Sequence, residues 1–312
     1  MVKKGINYDT GFLPGSASRE TFDPETVARD MHVIADDLHC EVVRISGMDP
    51  RRMTVAGERA AAAGLEVWFA PFPVDLDQEQ LIPALTAGAE LAESLRRTGA
   101  EVVYVTGCET SAFGKGFIDG ETYRDRLNTM GAGDENWWRG LMTDVMPRFN
   151  AYLAQMMEAV RPVFGGRITY AAGPWEQIDW TPFDVVSMDA YRAAYNAHDY
   201  TDELRALFTH GKPVAVTEFG TCAYKGAGDL GGMAWVVPEG AVRDEGEQVR
   251  YFNELLDIFE AEGVETALWF TYAAYNRFGE DDLGSYGVIR MLDETRWEPK
   301  EVFHAMAARY AR

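Results

Sequence analysis

Cysteine is scarce in this chain of 312 residues: there are three, Cys40, Cys108 and Cys222. They are too few and too scattered for a disulfide framework or a cysteine-built zinc site, which fits a reducing compartment. Histidine is also thin. The five (His32, His39, His198, His210 and His304) fall in helical stretches or outer connections. That speaks against a histidine-rich metal site and against Ser-His-Asp catalysis. Positive charge is in deficit, with 29 Lys plus Arg against 50 Asp plus Glu, a formal net charge of −21. Such a surface repels phosphate backbones and anionic lipid, so neither nucleic acid nor a membrane is an expected partner. No apolar run reaches the ~18 residues of a membrane span. The opening Met1-Val2-Lys3-Lys4-Gly5 lacks the apolar core of a secretory signal, so a cytoplasmic location is expected. Repeats, low-complexity tracts and Pro/Ser linkers are missing too, which predicts one domain over 1–312.

What the chain does have is alternation. Eight short apolar runs recur: Lys4–Tyr8, Glu41–Ile45, Leu65–Ala70, Val102–Thr106, Ile168–Ala172, Asp184–Met188, Pro213–Thr217 and Thr266–Phe270. Helical stretches follow most of them, at Pro24–Leu38, Arg51–Ala63, Asp77–Thr98, Trp137–Val163, Asp202–His210, Gly246–Glu262 and Pro299–Ala308. Strands alternating with helices imply parallel pairing through helical crossovers. Eight such units in about 300 residues predict an α/β fold, a (β/α)8 TIM barrel. A doubly wound sheet would show a Gly-rich turn after its first strand, whereas this chain reads Tyr8-Asp9-Thr10-Gly11-Phe12 there.

Barrel chemistry sits where strand C-termini meet the following loops. The runs place there Tyr8 and Asp9, Arg44, Pro71 and Phe72, Cys108 and Glu109, Trp175 and Glu176, Asp189, Tyr191 and Arg192, Glu218, and Trp269 leading to Tyr272. Carboxylates ringed by aromatic side chains suit glycoside hydrolysis, in which one acid protonates the leaving oxygen and flat rings stack on sugar faces. Strands four and seven face each other across such a barrel. Glu109 and Glu218 are therefore expected to approach within the ~5–5.5 Å of retaining chemistry. A barrel this acidic also places glutamates at strand ends with no chemistry attached.

At these residues the chain resembles the clan A glycoside hydrolases, retaining (β/α)8 enzymes with glutamates ending strands four and seven. Pro213-Val-Ala-Val-Thr-Glu218-Phe-Gly-Thr221 is similar to the strand-seven nucleophile segment, and Val105-Thr-Gly-Cys-Glu109-Thr to the strand-four acid/base. The resemblance implies Glu218 as nucleophile, Glu109 as acid/base and Arg44 as the strand-two support. It also implies Tyr191, in Met188-Asp-Ala-Tyr191, as the phenol bonding the nucleophile, and Trp269 as the floor of the sugar subsite. Ser285–Arg290 and Trp297–Lys300 resemble the way many of these enzymes end. The clan usually carries asparagine before the acid/base, where it holds the sugar 2-hydroxyl; here it is Cys108, a poorer hydrogen-bonding group. The chain is also similar to proteins sometimes labelled "abortive infection", which defines no chemistry. The implied function is a retaining glycoside hydrolase or transglycosylase of a small glycoside or oligosaccharide, with no cofactor and no metal. The alternatives are a carbohydrate-binding or regulatory barrel that does not catalyse, and a metal-dependent hydrolase built from Asp9, Glu109, Asp189 and Glu218.

Other features admit two readings. Asp9, Glu176 and Asp189 either bind sugar hydroxyls or cap loops, and Tyr8, Trp175, Trp180, Tyr195 and Trp235 either line the cleft or pack. An extended loop at about 107–136, with Phe113, Phe117 and Tyr123, is read as a pocket wall or as packing. The Gly-rich loop at about 220–240 is read as a lid or an anion cradle. Glu280-Asp281-Asp282 is a calcium site or a solvated loop, and Cys222 a buried thiol.

Overall fold

The computed structural model describes residues 2–312. Eight strands form one sheet: β1 (Lys3–Asp9), β2 (Val42–Gly47), β3 (Glu66–Pro71), β4 (Val102–Cys108), β5 (Arg167–Ala171), β6 (Val186–Asp189), β7 (Val214–Phe219) and β8 (Thr266–Trp269). Their order is β5-β4-β3-β2-β1-β8-β7-β6, and every pairing is parallel. The two ends meet through a parallel bridge between Ala172 and Met188, where the Asp189 N–H donates to the Ala172 carbonyl at 2.8 Å. The sheet thus curls into the expected barrel.

Ten α-helices follow in chain order: α1 (Pro24–His32), α2 (Pro50–Ala62), α3 (Gln78–Arg97), α4 (Thr110–Phe113), α5 (Tyr123–Gly131), α6 (Glu135–Gly140), α7 (Met146–Val160), α8 (Tyr200–Phe208), α9 (Glu245–Glu262) and α10 (Glu301–Tyr310). Their starts are written locally. Asp23 and Asp49 accept from the backbone N–H groups of Thr26 and Arg52, and each is followed by a proline at the first helical position. Asp77 with Gln80 forms a capping box at α3. The single helix expected over Trp137–Val163 is instead α6 and α7, joined by a wide turn at Leu141–Val145 just before Pro147, which has no N–H to extend the ladder. Between β5 and β6 no helix intervenes, and a small hairpin of β9 (Ile289–Met291) and β10 (Trp297–Pro299) precedes α10.

Strand alternation sorts the core into two layers. Ile6, Val43, Ile45, Val67, Phe69, Tyr104, Val214, Val216 and Ala267 face the helices. Val42, Trp68, Ala70, Val103, Val105, Ala171, Ala215 and Leu268 fill the lumen. Gly5 is required there, because a Cβ would lie 2.4 Å from the Val42 carbonyl oxygen. The lumen is a packed plug, so the polar residues collect above it, at the C-terminal mouth.

Candidate active site

Three breaks in strand register aim the polar side chains. β4 shifts against β5 between Val105 and Cys108, β6 against β7 between Met188 and Asp189, and β7 against β8 between Val216 and Phe219. A bulge adds a residue to one strand and re-aims the next side chain. Cys108, Asp189 and Glu218 come together here: one donor atom from each lies within 4.8 Å of the others.

Glu218 is held at both oxygens. Arg44, buried on β2, donates to Oε1 at 2.6 Å, and the Tyr191 hydroxyl donates to Oε2 at 2.9 Å. Arg44 is itself set by Asn7 on β1, whose Oδ1 accepts at 2.8 Å and whose Nδ2 donates to the Thr217 carbonyl at 2.9 Å. Asn7 escaped the sequence reading, although it shares the lumen face of β1 with Asp9 by simple alternation. The Cys108 thiol lies 3.3 Å from Asp189 Oδ2 and 3.6 Å from Glu218 Oε1. Burial pushes this thiol up, and the Asp189 and Glu218 carboxylates add to the effect, so it stays protonated. Asp189 is fully buried and its carboxyl is raised by that burial and by Glu218.

Glu109 sits one residue beyond Cys108 with φ +44°, a left-handed backbone that a glutamate seldom adopts. Its carboxylate makes no hydrogen bond among the described residues. Burial raises its pKa well above the usual carboxylate range, and Asp189, Glu218 and Glu176 push the same way while Arg44 opposes them. Two carboxyl groups of unlike environment therefore share the mouth: Glu218 tied to a cation and a phenol, and Glu109 untied.

The remaining sequence candidates separate. Tyr8 and Trp269 do not reach this cluster; both are fully buried in the barrel–helix layer. The Tyr8 hydroxyl donates to Asp30 on α1 at 2.6 Å, and Trp269 packs on Phe219 and Phe252 at ring separations of 5.4 and 5.9 Å. Each lies on the outward phase of its strand. The aromatic at the mouth of β8 is instead the next residue, Phe270, half-buried beside Tyr286, whose ring adjoins Tyr191 at 5.9 Å. Asp9 caps its own loop, accepting from the Gly11 and Phe12 N–H groups. Glu176 accepts from the Ser111 and Gly173 N–H groups and from the Tyr170 hydroxyl, and half-buried Trp175 donates to Ser111 Oγ at 3.1 Å.

The surrounding loops form the rim. Phe12, Phe72, Phe113 and Tyr123 make a continuous run of rings 4.9–5.7 Å apart, while Phe117 turns into the core against Phe149. Gly231 and Gly232 lie against Tyr191, a Cβ on Gly232 meeting its ring at 3.4 Å, so these glycines serve close approach. Asp282 pairs with Lys300 and Arg243, and Glu280 with Arg290. Cys222 is buried and its thiol pushed up by that burial. For a metal, the chemistry on offer is one thiol and the Asp189 and Glu218 carboxylates. Glu218 Oε1 is already occupied by Arg44, and Asp9 and Glu109 lie outside that set, so these residues fit a metal ion poorly.

No protein-family model matches the chain, and no curated protein matches it in sequence. Solved structures do. A GH113 β-1,4-mannanase is 16% identical with a TM-score of 0.67, over 99% of this chain and 97% of the other. The GH113 β-mannanase of Alicyclobacillus acidocaldarius, in complex with ManMIm, is 16% identical with a TM-score of 0.65, over 98% and 96%. A β-glucuronidase from Ruminococcus gnavus, in complex with uronic deoxynojirimycin, is 14% identical with a TM-score of 0.63, over 99% of this chain and 50% of that one. At these identities the likeness shows the fold alone, a (β/α)8 barrel over nearly the whole of this chain.

Proposed function

We propose that the protein is a retaining glycoside hydrolase in which Glu218 attacks the anomeric carbon and Glu109 serves as acid and then base. The observation that carries the reading is the unlike treatment of the two glutamates. Arg44 and Tyr191 fix both oxygens of Glu218, as attack along one line requires, while Glu109 is untied and its proton is held by burial and by three neighbouring carboxyl groups. In the first step a Glu218 oxygen forms a bond to the sugar carbon as the bond to the leaving oxygen breaks, and that oxygen takes the Glu109 proton. Glu109, now a carboxylate, takes a proton from water as the water oxygen bonds to the anomeric carbon and the bond to Glu218 breaks, which frees the sugar and restores the Glu218 carboxylate. The chain needs no cofactor for either step. In this reading half-buried Phe270 and Trp175 offer rings to a sugar face, and Tyr191 contributes through its hydrogen bond to Glu218. The mannanase and glucuronidase neighbours make β-linked glycosides the first substrates to try.

The test is a panel of 4-nitrophenyl glycosides, with wild type and Glu218→Ala side by side. Turnover of one sugar by wild type, a loss of at least about a thousandfold in the variant, and partial recovery with azide as the inverted glycosyl azide would support the reading. Undiminished turnover in Glu218→Ala would sink it. A second reading has its own observation. The Cys108 thiol stands against both Glu218 and Asp189, where an amide would offer a stronger donor. Sugar binding by wild type without turnover anywhere in the panel would favour a carbohydrate-binding barrel.

A further inference from the structure

Glu176 was a candidate sugar ligand, yet its carboxylate is committed elsewhere. Oε1 accepts from the Ser111 N–H at 3.0 Å, Oε2 from the Gly173 N–H at 2.9 Å, and the Tyr170 hydroxyl donates to Oε2 at 2.9 Å. That same hydroxyl accepts from the Thr110 N–H at 2.6 Å. Thr110 and Ser111 are the two residues after Glu109, and Gly173 lies in the loop after β5. One buried carboxylate therefore clamps the turn that carries Glu109 to the neighbouring strand end, directly through Ser111 and by way of Tyr170 through Thr110. The clamped turn is the one whose first residue holds φ +44°, a conformation that persists only where its surroundings over-determine it.

We propose that Glu176 is a positioning residue for Glu109, fixing its backbone through Tyr170 and Ser111 and facing it with a negative charge. The inference rests on the acid/base role assigned to Glu109 above. All three contacts to Glu176 are donors, so an acceptor-only carboxylate satisfies them and a carboxamide does not. Its charge adds to the fields of Asp189 and Glu218 across the mouth, against Arg44, with the Cys108 thiol on Glu109's own strand and the Tyr191 phenol beside Glu218. These groups together raise Glu109; burial brings Glu176 itself to about 7, so its charge acts on Glu109 above that pH, while its hydrogen bonds hold the turn throughout.

The experiment compares wild type, Glu176→Gln and Tyr170→Phe in two readouts. One is the pH dependence of kcat and KM on whichever 4-nitrophenyl glycoside the panel selects. The other is the titration of Glu109 by carbon-13 NMR on carboxyl-labelled glutamate, assigned with Glu109→Gln. In Glu176→Gln the basic limb of kcat and the Glu109 titration are expected to move down by about one pH unit. kcat is expected to fall about tenfold to a hundredfold while KM stays within about twofold, because the acid is misplaced but the sugar contacts are not. A basic limb and a Glu109 titration both unmoved in Glu176→Gln would overturn the proposal. So would a rise in KM at constant kcat, which would make Glu176 a sugar ligand. Where Glu176→Gln does not fold, Tyr170→Phe decides: a fall in kcat at constant KM supports the clamp, and an unchanged kcat overturns it. If no glycoside turns over, the glycosidase reading fails by itself. The NMR titration then still judges the clamp, supporting it if Glu109 shifts and rejecting it if Glu109 does not.

Discussion

Adjacent residues at the end of β8 point to opposite sides of the sheet, so they should fail in opposite ways. Trp269 is fully buried among Phe219 and Phe252, with its indole N–H on the Tyr286 carbonyl at 3.0 Å. Trp269→Ala is therefore expected to cost about 3–5 kcal/mol of stability, read by denaturant unfolding. Phe270 is half-buried at the mouth, so Phe270→Ala should cost far less stability but raise KM about tenfold, the worth of a ring stacked on the substrate. The reverse pattern would return the subsite floor to Trp269. Tyr8 follows the Trp269 logic. Its hydroxyl bonds Asp30, which also accepts from Tyr275 at 3.0 Å, so Tyr8→Phe should lose about 1–3 kcal/mol and leave kcat unchanged. Glu109, Glu218, Arg44 and Tyr191 were legible in the sequence because motif order along successive strand ends fixes which mouth they share. Tyr8 and Trp269 were misplaced because position along the chain was read without the two-residue alternation that decides the face.

At the level of elements, the mouth is built by interruptions to regular pairing. Gly107 holds φ +125° inside the register break of β4, between Val105 and Cys108, and a Cβ there would meet Thr110 Oγ1 at 2.6 Å. Gly107→Ala should therefore press on the Glu109–Thr110 turn. The expected result is a loss of about 1–3 kcal/mol in stability together with a fall in kcat. Stability lost with kcat intact would mean that the bulge serves folding alone. The eight strands were visible because short β-branched runs bounded by glycine and proline recur between amphipathic helices. The bulges were not, since an extra residue in one strand leaves the apolar pattern almost unchanged and shows only against its partner. The break between α6 and α7 was hidden for a related reason: Pro147 sits in a stretch whose apolar spacing stays helical on both sides. The Glu176 clamp lay out of reach because three of its four hydrogen bonds involve backbone N–H groups, which carry no sequence signature.

For the whole molecule, the buried carboxyl groups set the pH at which it is most stable. Burial raises Asp9, Asp30, Glu109 and Asp189, and brings Glu176 to about 7. A folded state that holds such protons more tightly than the unfolded chain loses stability as pH rises through the interval between the two pKa values. For Glu176, displaced from 4.5 to about 7, that loss is about 3 kcal/mol. Carboxylates outside the mouth that are held by donors act in the opposite sense. Asp23, Asp125, Asp179, Asp244, Glu262 and Asp293 are lowered by hydrogen bonds and ion pairs, as is Glu93, to about 2. Their stabilisation is complete above about pH 5 and is lost as the medium becomes more acid. The net charge of −21 adds repulsion once the carboxylates are ionised. Thermal unfolding should therefore show its highest midpoint near pH 5 and a lower one at pH 8, about. Salt at about 0.5 M should recover the part due to repulsion among exposed charges and leave the part due to buried groups, which salt screens poorly. Glu176→Gln, having no proton to lose, should flatten the decline between about pH 5 and 7. A midpoint that rises steadily from pH 5 to 8, about, would mean that these carboxyl groups are not held protonated in the folded barrel, and Glu109 would then lack the proton that the proposed first step requires.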